Sequence, residues 1–250
     1  MKNEIILWLS SILIVFLIGY VKNITDTDYP ITGTFGIEGK KVSYKLDKVC
    51  SDKKSYKNIV ISDIKGITGK LIRTEDGKQK ETAFNEIDKG LECEIPKLKP
   101  GQKIKYKIIL SYSDKVYEIP KREYVTLTFW GNIPSLIKVF HFILLYGGLL
   151  MSVRCLLELF NNNKGLKKYA IITNTLFLTL ITIIAPLRNS YKLGAINNSV
   201  PRVTELLEPV LLLILSIWIT GTILIFNKKY VRAVTIFITA VTVVLFFFII

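Results

Sequence analysis

Five apolar runs constrain this chain more than any other feature. Residues 5–21, 169–187, 209–226 and 233–250 carry no charge, and 133–160 carries only Lys138, His141, Arg154 and Glu158. A helix needs about 20 apolar residues, within a range of roughly 17–25, to cross a hydrocarbon core about 30 Å thick. Each run approaches that length, and none shows the polar stripe of a surface helix. In lipid a spanning segment must satisfy its own backbone groups, so five transmembrane helices are expected. They are TM1 (1–21), TM2 (133–160), TM3 (169–187), TM4 (209–226) and TM5 (233–250).

The charges lie elsewhere. Lys22–Ile133 holds 22 basic and 16 acidic residues, whereas the remaining 138 residues hold 12 and 4. Averaging two such unlike parts gives a mean hydropathy of +0.38 at 22% charged residues. A single soluble globule and a disordered chain are thereby excluded; 15 Gly and three Cys exclude collagen-like and disulfide-dense scaffolds.

Lys2 ahead of an apolar run is the layout of both a cleavable signal peptide and a signal-anchor. Gly19-Tyr20-Val21-Lys22-Asn23 offers no small-residue cleavage site, so an uncleaved anchor is the expectation. Short loops rich in Lys and Arg stay in the cytoplasm. Lys164, Lys167 and Lys168 mark the TM2–TM3 loop, and Lys228, Lys229 and Arg232 the TM4–TM5 turn. The N-terminus is then cytoplasmic. Residues 22–132 and the TM3–TM4 loop are extracytoplasmic, on the outside of a cell membrane.

Within 22–132 the period changes from helical to two. Val42, Tyr44 and Leu46 alternate with polar residues, as do Leu91, Cys93 and Ile95, then Ile104–Tyr112, then Val125–Phe129. Such alternation places one face on a core and the other in water, the pattern of an antiparallel sheet. Glu75-Asp76-Gly77-Lys78, Pro100-Gly101 and Ser113-Asp114-Lys115 supply turns. About seven short strands at spacings of roughly 8–12 residues indicate an immunoglobulin-like β-sandwich. The overall expectation is an α+β membrane protein with that sandwich inserted between TM1 and TM2. Leu98-Lys99-Pro100-Gly101-Gln102-Lys103-Ile104-Lys105-Tyr106 resembles one corner of a fibronectin type III domain.

Lys on the exposed phase of the strands blunts edge pairing and solvates the sheet. A nucleic-acid groove would add exposed aromatics or Arg, whereas here the aromatics fall on the inward phase and Arg is nearly absent, so no nucleic acid is expected. Anionic lipid headgroups or an acidic envelope polymer suit the charge better. Cys50 and Cys93 lie outside, either bridged across the sandwich or buried as two thiols. Cys155, in TM2, is expected to serve packing. Asn23-Ile24-Thr25 and Asn197-Asn198-Ser199 fit the glycosylation pattern, which matters only in a eukaryotic secretory host.

Ionisable groups inside a membrane are functional candidates. His141, the single His, lies about 10 Å below the outer surface at 1.5 Å per residue from Pro134. It is either a structural hydrogen-bonding group or a proton, lipid or partner contact. One His cannot supply paired haem ligands, so no cofactor and no metal is expected. Arg154 and Glu158 share a helix face four residues apart and can pair, snorkelling near the inner end of TM2 or contacting another helix. Gly147 and Gly148 permit close helix approach. In the TM3–TM4 loop Arg188, Tyr191, Lys192 and Arg202, with Glu205 and Glu208 opening TM4, either pack under the sandwich or line a shallow outer site. Gly66-Ile67-Thr68-Gly69-Lys70 lacks the spacing and hydroxyl of a phosphate loop, and no zinc-protease motif, Cys-x-x-Cys or nucleophile elbow is present.

As a whole the chain resembles an uncharacterised bacterial family of multi-pass membrane proteins with an external sandwich after the first helix. The resemblance rests on Gly33-Thr34-Phe35, Gly39–Tyr44, Pro100–Tyr106, Phe129-Trp130-Gly131-Asn132-Ile133-Pro134 and His141 through Ser152, Arg154, Leu157 and Glu158. That family's TM3–TM4 loop is richer in aromatic and acidic residues than Gly194–Thr204. The resemblance implies architecture only. The leading expectation is a non-enzymatic accessory or scaffold subunit whose external β domain binds a partner protein or envelope component in a hetero-oligomer. One alternative is a subunit of a membrane enzyme or transport complex with a site near His141 and the outer loop; another is an envelope sensor.

Overall fold

A computed structural model of the chain describes residues 2–26, 28–51, 55–62, 64, 66–75, 77–121, 123–196 and 201–249. The protein is mixed α+β and divides into two compact units. A helical unit gathers residues up to Asp26, Ile133–Tyr191 and those from Ala195 onward; a β unit gathers residues 27–132 with Lys192–Gly194.

The helical unit opens with α1 (Lys2–Thr25). After the β unit come α2 (Ser135–Leu157), which tightens into a 3-10 turn at Glu158–Phe160, and α3 (Leu166–Thr179). A π-helical stretch, Leu180–Ile184, joins α3 to α4 (Ala185–Lys192). Its cause is local: Pro186 has no N–H to return to the Thr182 carbonyl and its ring crowds that carbonyl, so the helix widens just ahead of it. The one-turn α5 (Val203–Leu206), α6 (Pro209–Phe226) and α7 (Val231–Phe246) complete the unit.

Among the described residues four helical segments are long and apolar enough to cross a membrane: Glu4–Thr25, Ser135–Phe160, Leu166–Lys192 and Pro209–Phe226. The fifth apolar run forms the shorter α7, of 16 residues. Two helices outrun their apolar runs. α1 continues past Val21 because Lys22 is accommodated: its ammonium donates to the Ile249 carbonyl (2.7 Å) and lies 5.4 Å from the Phe246 ring centroid. The third continues to Lys192 because Arg188 is taken up by Glu208.

Leu149, Ala170, Phe177, Leu211 and Trp218 anchor one buried cluster drawn from α1, α2, α3, α6 and α7. Hydrogen bonds cross between the helices. The Trp218 indole donates to Thr242 Oγ1 (2.8 Å), and the Asn174 amide donates to Thr222 Oγ1 (2.7 Å). In apolar surroundings such bonds hold helices in register where burial alone does not.

The β unit contains eleven strands among the described residues, more than the seven that alternation suggests: β1 (Ile31–Ile37), β2 (Lys40–Leu46), β3 (Val49–Ser51), β4 (Ser55–Ser62), β5 (Thr68–Glu75), β6 (Lys78–Ala83), β7 (Asn85–Ile87), β8 (Gly90–Pro96), β9 (Lys103–Tyr112), β10 (Lys115–Ile119) and β11 (Val125–Trp130). One sheet runs β1-β2-β4-β8-β7 and the other β3-β11-β9-β5-β6, with β10 added to β9. All pairings are antiparallel except β3 with β11, where Phe129 lies opposite Cys50. Val42, Val60, Leu91 and Ile95 of the first sheet and Leu71, Ile108, Leu127 and Phe129 of the second belong to one buried cluster.

Turn chemistry fixes the registers. Ile37 pairs with Lys40 across Glu38 (φ 49°) and Gly39 (φ 78°), the two left-handed positions of a type I′ hairpin. β5 and β6 meet at the expected turn around Gly77, of which Asp76 lies outside the described residues, as do residues 197–200 of the TM3–TM4 loop with the second glycosylation pattern.

Candidate functional site

The Arg154–Glu158 pair is the most elaborate polar centre of the helical unit. Both side chains are enclosed, at 0% and 2% exposure, so the guanidinium does not run out along the helix towards solvent. Arg154 Nη1 donates to Glu158 Oε2. Two rings flank the cation: the centroid of Tyr169 lies 4.6 Å and that of Trp8 5.5 Å from its central carbon, and the rings meet edge to face at 5.9 Å. Aromatic faces are electronegative and lower the cost of burying the charge. Arg154 Nε and Nη2 make no hydrogen bond among the described residues.

The other carboxylate oxygen closes the α2–α3 hairpin. Glu158 Oε1 accepts the Gly165 N–H (2.8 Å) and the Asn161 side-chain amide (3.0 Å). Asn162 (φ 54°) and Asn163 (φ 61°) turn the chain through left-handed conformations that Asn tolerates. Gly165 must be small, since a Cβ there would lie 2.6 Å from the Tyr169 ring. The sequence pairs Arg154 with Glu158 by spacing; it does not reveal Trp8, Tyr169, Asn161 or Gly165. Trp8, four residues into the first apolar run, and Arg154, seven residues from the end of the second, sit at matching depths of two successive runs, the signal that could have found the first of these.

The other membrane candidates separate. His141 is buried on the α2 face that carries Ile137 and Leu145, 13 residues and so about 20 Å of helix rise from Arg154. The two glycines differ. A Cβ on Gly148 would lie 2.7 Å from the Phe177 ring, whereas one on Gly147 would meet Leu176 at an ordinary 3.7 Å. Gly147 instead lines an apolar groove between α1 and α2, about 540 Å³ in volume, with Val15, Gly19, Phe142 and Tyr146.

The TM3–TM4 loop candidates also divide. Arg188 Nη1 donates to Glu208 Oε1 (2.9 Å), and the Asn189 amide donates to the Leu206 carbonyl (3.0 Å). Glu205 accepts the Arg202 N–H (3.2 Å) and caps α5, with both side chains exposed. Tyr191 is half-buried. Lys192 groups with the β unit: its ammonium lies 4.3 Å from the Trp130 ring centroid and its carbonyl accepts the Gly131 N–H (2.8 Å).

In the β unit Cys50 on β3 and Cys93 on β8 are buried thiols in different sheets, not bridged to one another. Burial pushes the Cys93 thiol up to about 11. Two tyrosines bracket Asp47: its N–H donates to Tyr56 Oη (2.8 Å), and Tyr106 Oη donates to its carbonyl (3.0 Å). Burial raises both phenols, Tyr56 to about 12, so each stays protonated at neutral pH.

A cleft of about 540 Å³ lies between β1 and β10. Thr34, Phe35 and Gly36 line it from β1, Tyr44 from β2, and Val116–Lys121 from β10 and the residues that follow it. The Phe35 ring lies 5.7 Å from Tyr117 and 6.4 Å from Tyr44. Aromatic surface flanked by a few polar groups is the composition of a recognition site. None of the cleft residues is a site residue by sequence, because alternation assigns Tyr44 to the core, Phe35 lies outside the alternating runs and β10 carries no motif. Compared with protein-family models, with curated proteins and with solved structures, the chain matches none.

Proposed function

We propose that the protein is a non-enzymatic accessory or scaffold subunit of a cell membrane. In this reading five helices, α1, α2, the α3–α4 rod, α6 and α7, span the bilayer with the N-terminus in the cytoplasm. They hold an immunoglobulin-like β-sandwich outside, and that sandwich binds a partner protein or envelope component. The cleft between β1 and β10 carries the reading, because it joins aromatic rings to an open strand edge on an otherwise Lys- and Glu-rich surface.

Sidedness is supported by the loops Lys164–Lys168 and Lys228–Arg232, six cations without an acidic residue between them. The five-helix count requires α7 to span; its 16 residues rise about 24 Å, which a locally thinned bilayer accommodates. The Arg154–Glu158 pair serves the anchor, fastening α1 to the α2–α3 hairpin through Trp8 and Tyr169.

Solubilisation in mild detergent tests the reading. The chain should co-purify with a partner or envelope component in fixed proportion, and Tyr117→Ala should release it while the helical unit stays folded. A lone monomer that carries nothing out of the membrane would refute the proposal.

A further inference from the structure

The strand edges of the β unit differ sharply. β3 and β7 are three residues long. β6 carries Lys78, Lys80 and Glu81, and β10 is five residues long and runs into Pro120 and Lys121. Short length, Lys and Pro are the devices by which folded proteins keep edges from pairing. β1 has none of them. Ile31-Thr32-Gly33-Thr34-Phe35-Gly36-Ile37 is seven residues without a charge or a proline, and among the described residues it pairs only with β2.

The hairpin fixes which groups are open. A two-residue turn is closed by a hydrogen-bonded pair, here Ile37 with Lys40. The bonded positions then recur at Phe35, Gly33 and Ile31, while Thr32, Thr34 and Gly36 turn their N–H and C=O away from β2. Those three residues are exposed, and among the described residues no further backbone hydrogen bond reaches them. Thr34 and Gly36 also line the aromatic cleft.

We infer that β1 accepts an extended peptide segment of a partner protein as an added strand, its alternate side chains resting on Phe35 and Tyr117. This inference rests on the binding role proposed above. A row of alternating backbone donors and acceptors is answered by another strand. Charge selects the partner. Lys40, Lys41 and Lys121 surround the cleft end of β1 without an ion pair among the described residues. Of the acids nearby, Glu118 is taken up by Lys107 (3.3 Å) and Glu38 accepts the Tyr112 hydroxyl (3.2 Å). The incoming strand is therefore acidic.

The test is amide hydrogen exchange of the full chain in detergent, with a nine-residue peptide of alternating valine and glutamate as probe. The peptide should slow exchange of Thr32, Thr34 and Gly36 at least tenfold, and its version N-methylated at alternate residues should not. Thr34→Pro removes an outward N–H and should weaken binding at least tenfold. Gly36→Glu should do the same by setting a like charge against the acidic peptide, without harming the fold, since a Cβ there meets only the Lys40 carbonyl at 3.9 Å. Protection on another strand, or equal protection in both variants, overturns the inference. So does protection that grows with protein concentration alone, which would make a second copy the occupant. If the probe fails while the partner still co-purifies, strand addition falls and the binding role stands; if both fail, so does that role.

Discussion

At Arg154 a single side chain concentrates the energetics of the helical unit. Its charge is wholly enclosed and answered by Glu158, Trp8 and Tyr169. Desolvating such a pair offsets most of its Coulombic gain, but removing one member strands the other. Glu158→Ala should therefore lower stability by about 3–5 kcal/mol, and Arg154→Met with Glu158→Leu should recover most of that loss. Denaturant unfolding in detergent measures both, and a single-variant loss below about 1 kcal/mol would show that the pair is not structural. Spacing alone shows that the two residues can meet. It does not show that they are sealed in, because Trp8 arrives from a helix distant in sequence and Tyr169 from across the α2–α3 turn.

Among the elements, α6 follows its apolar run residue for residue, opening at Pro209 and ending at Phe226. α1 and the third helix overrun theirs, since hydropathy ends a run at the first charge and a helix ends only where its backbone cannot continue. Lys22 and Arg188 stay helical because partners from other segments take up their charge. The strands were legible where one face is buried, as in β9 with Ile104, Tyr106, Ile108 and Leu110. β6 and β7 are exposed along nearly their whole length, so no alternation marks them. The glycine pair shows the same limit at a helix contact. Gly148→Ala should destabilise the helical unit by about 1–3 kcal/mol by pressing on Phe177, and Gly147→Ala should leave its melting temperature unchanged. Equal effects at the two positions would mean that α2 and α3 do not pack closely at Gly148.

For the whole molecule, the division into a helical unit and a β unit follows from segregated charge and from the change of period at residues 22 and 133. The cleft was not legible, because it is made where β1 and β10, some 80 residues apart, come together. The central claim is that apolar helices hold the β unit on the far side of a bilayer, and cysteine labelling of intact cells tests it most directly. All three native thiols are buried, so background labelling is low. Lys80→Cys, on exposed β6, should react with a membrane-impermeant maleimide in intact cells, whereas Lys164→Cys should react only after permeabilisation. Labelling of Lys164→Cys but not Lys80→Cys in intact cells would contradict the account.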